Sequence, residues 1–405
     1  MCSCLINRPP SPAFSPVRVL LAFDKFKDSL TAPAACAIAA ETLRTAHPDW
    51  EIDSAPLADG GDGFAAILTG AIGGEIISAR VVGPLGEPRT SAFGLVRWAQ
   101  IPAATRERLA LPALSETDTI AIVEMAAASG LALVPPAERN PWRTTSYGTG
   151  QLLVAAAQRG ARALLLGVGG SATHDLGLGA LAALGLRFFD ERGAPLFPPT
   201  TAAWEHIARL AGHVPAAFPP LRIACDVANP LLGPAGAAAT YAPQKGLAPA
   251  DLPALETATA RMASLLSAHC AQPPALATLP GAGAAGGIAF GLMTAARAQL
   301  VSGWALVHDW LDLAPRLAAA DLVITGEGRF DATSLSGKGP GALVALAAAA
   351  GKRTVVLAGS LGELPADALA PGVTAHAFSP PDLPLAAALA RAPELLAAAV
   401  RRHVP

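Results

Sequence analysis

An apolar run at Leu164, Leu165 and Leu166 passes directly into Gly167, Gly169 and Gly170, then the small polar residues Ser171 and Thr173, then an apolar segment from about Leu178. That order of buried strand, glycine loop and helix start restricts the chain to folds in which a strand delivers backbone to a helix N-terminus. Glycines at such a junction expose N–H groups with the positive end of the helix dipole behind them, which makes an anion site. The carboxylate of Asp175 in the same turn repels a bare phosphate. A bound metal ion or a proton-accepting role reconciles the two, and the stretch points to chemistry on a phosphoryl group.

The flanking sequence gives that stretch its frame. A β-branched apolar run at 17–23 reads as a buried strand, and the alanine-rich segment 32–46 as a helix, with Ser29 or Thr31 as N-cap and Pro48 as its stop. A second strand over 51–57, the loop ADGGDG at 58–63 and a helix to about 70 complete a β-α-β-α opening, the pattern of a parallel sheet covered by helices. Shorter strands with Gly-Pro turns fill 75–123, together with the polar excursion ATRERLALPALSETD, which reads as a surface insertion. Clean alternation returns near the C-terminus, with strands over 321–325, 354–359 and 373–378, a helix over 341–350 and a last helix from 383. The expected fold class is α/β. A discontinuous Rossmann-like three-layer domain takes residues 17–62 plus 300–405, a second, mixed α/β domain is inserted at 63–299, and residues 1–16 form a disordered leader.

Hydrophobic residues make up 52% of the chain and the mean hydropathy is +0.42, yet the excess is alanine. Apolar stretches such as 342–350 fall well short of the roughly 18 residues that suggest a membrane span. Prolines interrupt the N-terminal segment where a signal peptide needs a continuous apolar core, so the expected location is the cytoplasm. Five scattered cysteines make no disulfide framework, and a net charge of −2 without a basic face argues against a nucleic-acid partner. Lysine is scarce: five residues, at 25, 27, 245, 338 and 352, against 24 arginines (29 − 5). They sit mostly in loops rich in Gly, Asp or Pro, where a compact point charge suits a transferring phosphate.

Five loops share one style, an apolar strand followed by closely packed residues drawn from Asp, Glu, Ser, Lys and Gly. They are DKFKDS at 24–29, ADGGDG at 58–63, GVGGSATHD at 167–175, CDVANP at 225–230 and TGEGRFD at 325–331. A phosphotransferase needs this mixture: cations and N–H groups for phosphate, carboxylates for Mg2+ and the attacking hydroxyl, glycines for close approach. Spacing removes its rivals. The loop after the first strand has no glycine, so the dinucleotide fingerprint is missing. Ala332 stands where a Walker A loop ending in Gly337 and Lys338 needs glycine, and Thr173 breaks a G-x-S-x-G elbow around Ser171. Each loop also has a structural reading: GVGGSAT as tight helix–sheet packing, Asp59 and Asp62 as helix caps, Glu124 as a satisfied core carboxylate or a ligand contact, and His174 in a binding or neutral role.

The ordered motifs VRVLLAFDKFKDSLTA, PLADGGDG, GPLGEP, AIVEMAAASGLALVPPAERNPWRTTSYGTG, GVGGSATHDLGLGALAALG, CDVANPLLGPAGAAATYAPQKG, PGAGAAGGIAFGL and ADLVITGEGRFDATSLSGKGP resemble the bacterial type 1 glycerate kinase family. Departures are Phe23 for the usual Pro, Asp28 for Gly, Phe64 for Thr, and His174 and Leu176 around the aspartate of the glycine loop. The resemblance implies phosphorylation of D-glycerate by ATP with Mg2+, with 2-phosphoglycerate favoured over 3-phosphoglycerate, and the chain is expected as a monomer or homodimer. On this reading Asp175 orients or deprotonates the attacking hydroxyl, and Lys27 neutralises the transferring phosphoryl group. Gly169, Gly170 and Ser171 donate to phosphate, Gly283, Gly286 and Gly287 form a second nest, and Lys338 is a further cation of the nucleotide site. Thr145 and Arg329 meet the substrate carboxylate, while Asp226 and Glu327 hold the metal. The alternatives are a kinase for another small hydroxy acid and a non-catalytic sensor of glycerate or a phosphometabolite on the same scaffold.

Overall fold

The computed structural model describes residues 16–335, 337, 339–365 and 367–404; nearly all of the expected leader, and Lys338, lie outside them. The chain divides into two units, one formed by residues up to Pro56 together with those from Pro315 onward, the other by Leu57–Ala314. In chain order the strands are β1 (Arg18–Phe23), β2 (Glu51–Ser54), β3 (Glu75–Val82), β4 (Pro88–Arg97), β5 (Thr119–Glu124), β6 (Ala163–Gly167), β7 (Arg187–Phe189) and β8 (Arg209–Ala211). They continue with β9 (Leu221–Ala224), β10 (Gln299–Val301), β11 (Leu322–Gly326), β12 (Arg329–Phe330), β13 (Arg353–Ala358), β14 (Ser360–Leu361) and β15 (Val373–Ala377).

The first unit holds a five-stranded sheet in the order β15-β13-β11-β1-β2, every neighbouring pair parallel. Leu20, Leu21, Ala22 and Phe23 are all buried, so β1 is a continuous apolar run, as a strand covered on both faces requires. The helix Ala32–Ala46 starts at Thr31, whose side chain accepts from Ala34 N, with Pro33 in the first turn where a missing N–H costs nothing. Its stripe Ala35, Cys36, Ala39, Ala40 and Leu43 shares one core with Ala392, Leu396, Ala399 and Val400 of the last helix. The segment expected as a single helix from 383 forms two, Leu385–Ala390 and Ala392–His403. Pro393 fits the first turn of the second but cannot sit inside a continuous one.

The second unit holds a six-stranded mixed sheet in the order β10-β9-β6-β5-β4-β3. Strands β5, β6, β9 and β10 run parallel, while β3 and β4 add an antiparallel hairpin at the edge. The polar excursion lies mostly at the surface, but it is anchored to the unit beneath it. It forms the helix Ala103–Leu109, with Thr105 and Leu109 buried, and Arg222 donates to the carbonyls of Leu109 and Ala110 at 2.6 Å each. The units do not divide at 62/63 and 299/300. The ADGGDG loop packs against the loop after β6, with Gly169 N donating to Gly60 O at 2.9 Å. Strand β10 pairs with β9, and Trp310 Nε1 donates to Leu68 O at 2.9 Å, so 57–62 and 300–314 belong to the second unit.

The helix Ala284–Ala296 passes so close to the turn after β6 that a Cβ on Gly291 would collide with the Leu176 carbonyl. The obstacle is backbone, so Gly291→Ala is expected to lower the unfolding free energy by about 2–3 kcal/mol, read as a shifted urea midpoint. Among the described residues no helix is long and apolar enough to cross a membrane.

Candidate active site

In the second unit the chemistry-bearing loops follow the C-terminal ends of the parallel strands. Strand β6 delivers Gly167 to Ser171 against the ADGGDG loop. A Cβ on Gly167 would lie 2.5 Å from Gly60 O, and one on Gly169 would lie 2.6 Å from Gly61 Cα. These two glycines let two backbones touch, and because the Gly169 N–H already bonds Gly60, it does not serve phosphate as expected. Gly170 differs. Its φ of +72° is left-handed, and a Cβ there would sit 3.4 Å from both carboxylate oxygens of Asp62, an exposed side chain. Among the described residues the N–H groups of Gly170 and Ser171 meet no protein acceptor. Their carbonyl-side neighbours are fixed: Leu131 N donates to Gly170 O at 2.7 Å and Ala172 N to Ser129 O at 2.9 Å. The result is a small, rigid nest of two donors beside one acid.

Asp175 does not face that nest. It has no exposed surface; Oδ2 accepts from Ser146 N at 2.8 Å, Ser146 Oγ at 2.7 Å and Gly179 N at 3.3 Å, and Oδ1 accepts from Gly177 N at 3.1 Å. Burial pushes its carboxyl above the usual range, and the Ser146, Gly177 and Gly179 hydrogen bonds oppose that shift without cancelling it. The carboxylate caps the helix Leu178–Ala183 and ties it to the start of Tyr147–Gln158, so it cannot meet a substrate hydroxyl where it stands. Ser146 completes the tie by accepting from Ala180 N at 2.9 Å.

The two departures from the family pattern in this turn point inward. Leu176, at φ +53°, is fully buried, and its N–H donates to Gly286 O at 3.1 Å. His174 is fully buried with Nε2 3.0 Å from Thr259 Oγ1. Thr259 spends its own proton on Leu255 O at 2.7 Å, so it accepts from His174, which assigns the proton to Nε2 and leaves buried Nδ1 unpartnered. Burial, followed by the charge of Lys245, pushes the imidazole down to about 3. The ring is therefore uncharged.

Other expected contacts turn out to be packing. Gly283 donates its N–H to Asn229 O at 3.0 Å, while Gly286 and Gly287 are buried at φ +72° and +86° against Thr173 and Leu176. Gly286 and Gly287 seat the helix Ala284–Ala296 on the 173–176 turn, while Gly283 packs against Asn229 and Pro230, so the three are used in packing. Thr145, 3% exposed, accepts from Tyr147 N at 3.2 Å and donates its own N–H to Pro84 O. Glu124 caps the helix Phe64–Ala71 by accepting from Gly63 N and Ala65 N at 3.0 and 3.2 Å. Asp226 accepts from Ser302 Oγ at 2.9 Å and Trp304 N at 2.7 Å, capping Gly303–Trp310.

The first unit presents its own set at the ends of neighbouring strands β1 and β11. Phe26 is buried against Phe23 and Phe378, and its paired bonds with Leu30, at 2.8 and 3.0 Å, tighten the loop that leaves Lys27 exposed. Asp28 occupies φ +62°, the conformation that explains the family's usual glycine there. Glu327 follows β11, half-buried, and Arg329 extends from β12 with its side chain 68% exposed and Nε 3.1 Å from Asp331 Oδ2. Glu327 and Asp226 therefore belong to different units, and among the described residues no group of three or more His, Cys, Asp or Glu side chains is gathered for a metal. Mg2+ needs no such cage, since it binds through one or two carboxylates together with substrate phosphates and water. Asp62 beside the nest fits that donor set.

Lys245 is the residue the sequence reading left without a role. It is 1% exposed, and its Nζ donates to Ser171 Oγ at 2.9 Å and to Thr173 O at 2.6 Å. The signal was its rarity among the basic residues. Its partners, 74 and 72 positions away, were invisible.

Fold and site together define an α/β enzyme whose strand-end loops are equipped for anionic substrates. The sequence pattern of the glycerate kinase family matches residues 19–404. The Haemophilus influenzae glycerate kinase is 38% identical over 353 residues, which cover 86% of this chain and 87% of that protein. The Escherichia coli glycerate 2-kinase is 35% identical over 347 residues, covering 85% and 86%. A solved Salmonella typhimurium LT2 structure, described as a candidate glycerate kinase 2, matches with a TM-score of 0.72 at 35% identity, covering 96% of this chain and 97% of that one. The chain belongs to the glycerate kinase family, and it is a kinase.

Proposed function

We propose that this chain is a type 1 member of the family that transfers the γ-phosphoryl group of ATP to D-glycerate with Mg2+, 2-phosphoglycerate being the favoured product. The observation that carries the reading is the pair of N–H groups at Gly170 and Ser171, without protein acceptors and beside the exposed carboxylate of Asp62. When bound, Mg-ATP supplies an activated phosphoryl group already partly neutralised by the metal. The chain's part is to hold and orient. Gly170 and Ser171 donate to phosphoryl oxygens, Asp62 binds the metal, and the nest keeps its shape because Asp175 and Ser146 lock the turn behind it. Lys27 and Arg329 of the first unit are exposed cations of the kind that suits a phosphoryl group and a carboxylate.

The test is an ADP-release assay with D-glycerate, ATP and Mg2+, its product fed to enolase without a mutase. Enolase consumes only the 2-phosphate, so the expected result is direct consumption. A product consumed only after mutase is added assigns the 3-hydroxyl instead, and no ADP above background rejects the kinase reading in favour of a sensor. EDTA is expected to abolish turnover and added Mg2+ to restore it. Lys27→Ala removes an exposed side chain, so its urea midpoint is expected to stay within about 0.5 kcal/mol of the parent, while kcat falls on the order of 100-fold. Parent-level kcat in that variant removes Lys27 from the site.

A further inference from the structure

We propose that Lys245 is a positioning residue for the phosphate nest: it orients the Ser171 hydroxyl toward the bound anion and places a positive charge behind it. This rests on the kinase reading above and deepens it.

The turn Pro243–Lys245, closed by Gly246 at φ +94°, carries the lysine inward until it is 1% exposed. Among the described residues no carboxylate lies within ion-pair distance of its Nζ. Asp175 is the charge that acts on it, but the four contacts of that carboxylate go to Ser146, Gly177 and Gly179. His174, the other titratable neighbour, is neutral. Burial pushes the Lys245 ammonium down to about 7, with the Asp175 charge opposing the shift. A buried ammonium without a contact counter-ion is costly, so the amine is readily neutralised until a bound anion supplies the missing charge and holds its proton. The loop it holds is the nest itself.

Hydrogen-bond accounting gives the second half. Nζ donates to Ser171 Oγ, so that oxygen uses a lone pair on lysine and keeps its own proton for another acceptor. Among the described residues Ser171 donates that proton to nothing. With the N–H groups of Gly170 and Ser171, it becomes a third donor for one anion. The bond from Nζ to Thr173 O fixes the loop's exit, so hydroxyl orientation and loop position are set by one side chain.

The experiment uses the full chain with Lys245→Met, Ser171→Ala and the double variant. Two readings are taken: kcat and KM for ATP, and the rise in Tm on adding inorganic phosphate, which needs no turnover. Methionine fills the lysine's volume without the buried charge, so the Lys245→Met Tm is expected within about 4 °C of the parent. Its kcat is expected to fall about 100-fold and its phosphate-induced Tm rise to vanish. Ser171→Ala is expected to lose about 10-fold, and the double variant to be no worse than Lys245→Met alone, because the hydroxyl acts only when lysine directs it. Parent-like kcat and phosphate response in Lys245→Met overturn the proposal, as do losses that multiply in the double variant. If Lys245→Met does not fold, parent-level activity and phosphate response in Ser171→Ala overturn it. A parent that releases no ADP but gains Tm with phosphate defeats the kinase reading while leaving the nest inference standing.

Discussion

Asp175→Asn is expected to lower the unfolding free energy by about 2–4 kcal/mol, read by urea denaturation, with the kcat of the fraction that stays folded falling by far less than a lost general base would cause. The carboxylate is fully buried and accepts four hydrogen bonds, three of them from backbone N–H groups of Ser146, Gly177 and Gly179. An amide has one acceptor oxygen and an NH2 that would face donors, so at least one buried N–H loses its partner. Ser146→Ala, which breaks the 2.7 Å hydroxyl contact to Asp175 and the 2.9 Å contact from Ala180 N, is expected to move stability in the same direction by about 1–2 kcal/mol. An Asp175→Asn protein with parent-level stability and no turnover would return the residue to the chemistry. A large loss of stability places it in the frame.

His174→Gln is expected to flatten the acid limb of the stability profile. The imidazole sits at about 3 in the folded chain, pushed there by burial and then by Lys245, against an ordinary value of 6.5. Between those values the unfolded chain binds a proton that the folded chain does not. Stability therefore falls as pH falls through about 6.5, with a slope approaching about 1.4 kcal/mol per pH unit, and levels off only near the folded value. Gln can still donate to Thr259 Oγ1 and does not titrate, so the difference between the two urea-midpoint profiles from pH 7 to pH 4.5 isolates this one group among the eight histidines. Superimposable profiles would mean that water or an opened turn protonates His174 without unfolding.

Both residues show where the sequence stopped being informative. The strand, glycine loop and helix around Gly170 were legible because three signals agreed locally: buried leucines, glycines and a helix-forming run. A cap at Ser29 or Thr31, of which Thr31 serves, and the parallel pairing of the two opening strands were legible for the same reason. The carboxylates were not. Glu124, Asp175 and Asp226 each end a strand or sit in a glycine loop, where a ligand contact and a helix cap look identical in sequence. In the structure all three accept backbone N–H groups at helix starts. Gly283 and Gly286 present the same ambiguity: a helix-start nest and a close approach to another backbone both demand glycine, and only the approaching backbone, at Pro230 and Thr173, distinguishes them.

The sequence by itself determined an α/β class, a glycine loop between a buried strand and a helix, and the absence of the Walker A, dinucleotide and hydrolase-elbow patterns, because each is carried by local pattern. Tertiary structure alone decided which polar groups remain for a ligand. Ser146 reaches Asp175 across 29 positions and Lys245 reaches Ser171 across 74, and such partners consume or direct hydrogen bonds that no local pattern assigns. A polar side chain is available for chemistry only when the fold has not already satisfied it, and that balance is settled by contacts distant in the chain.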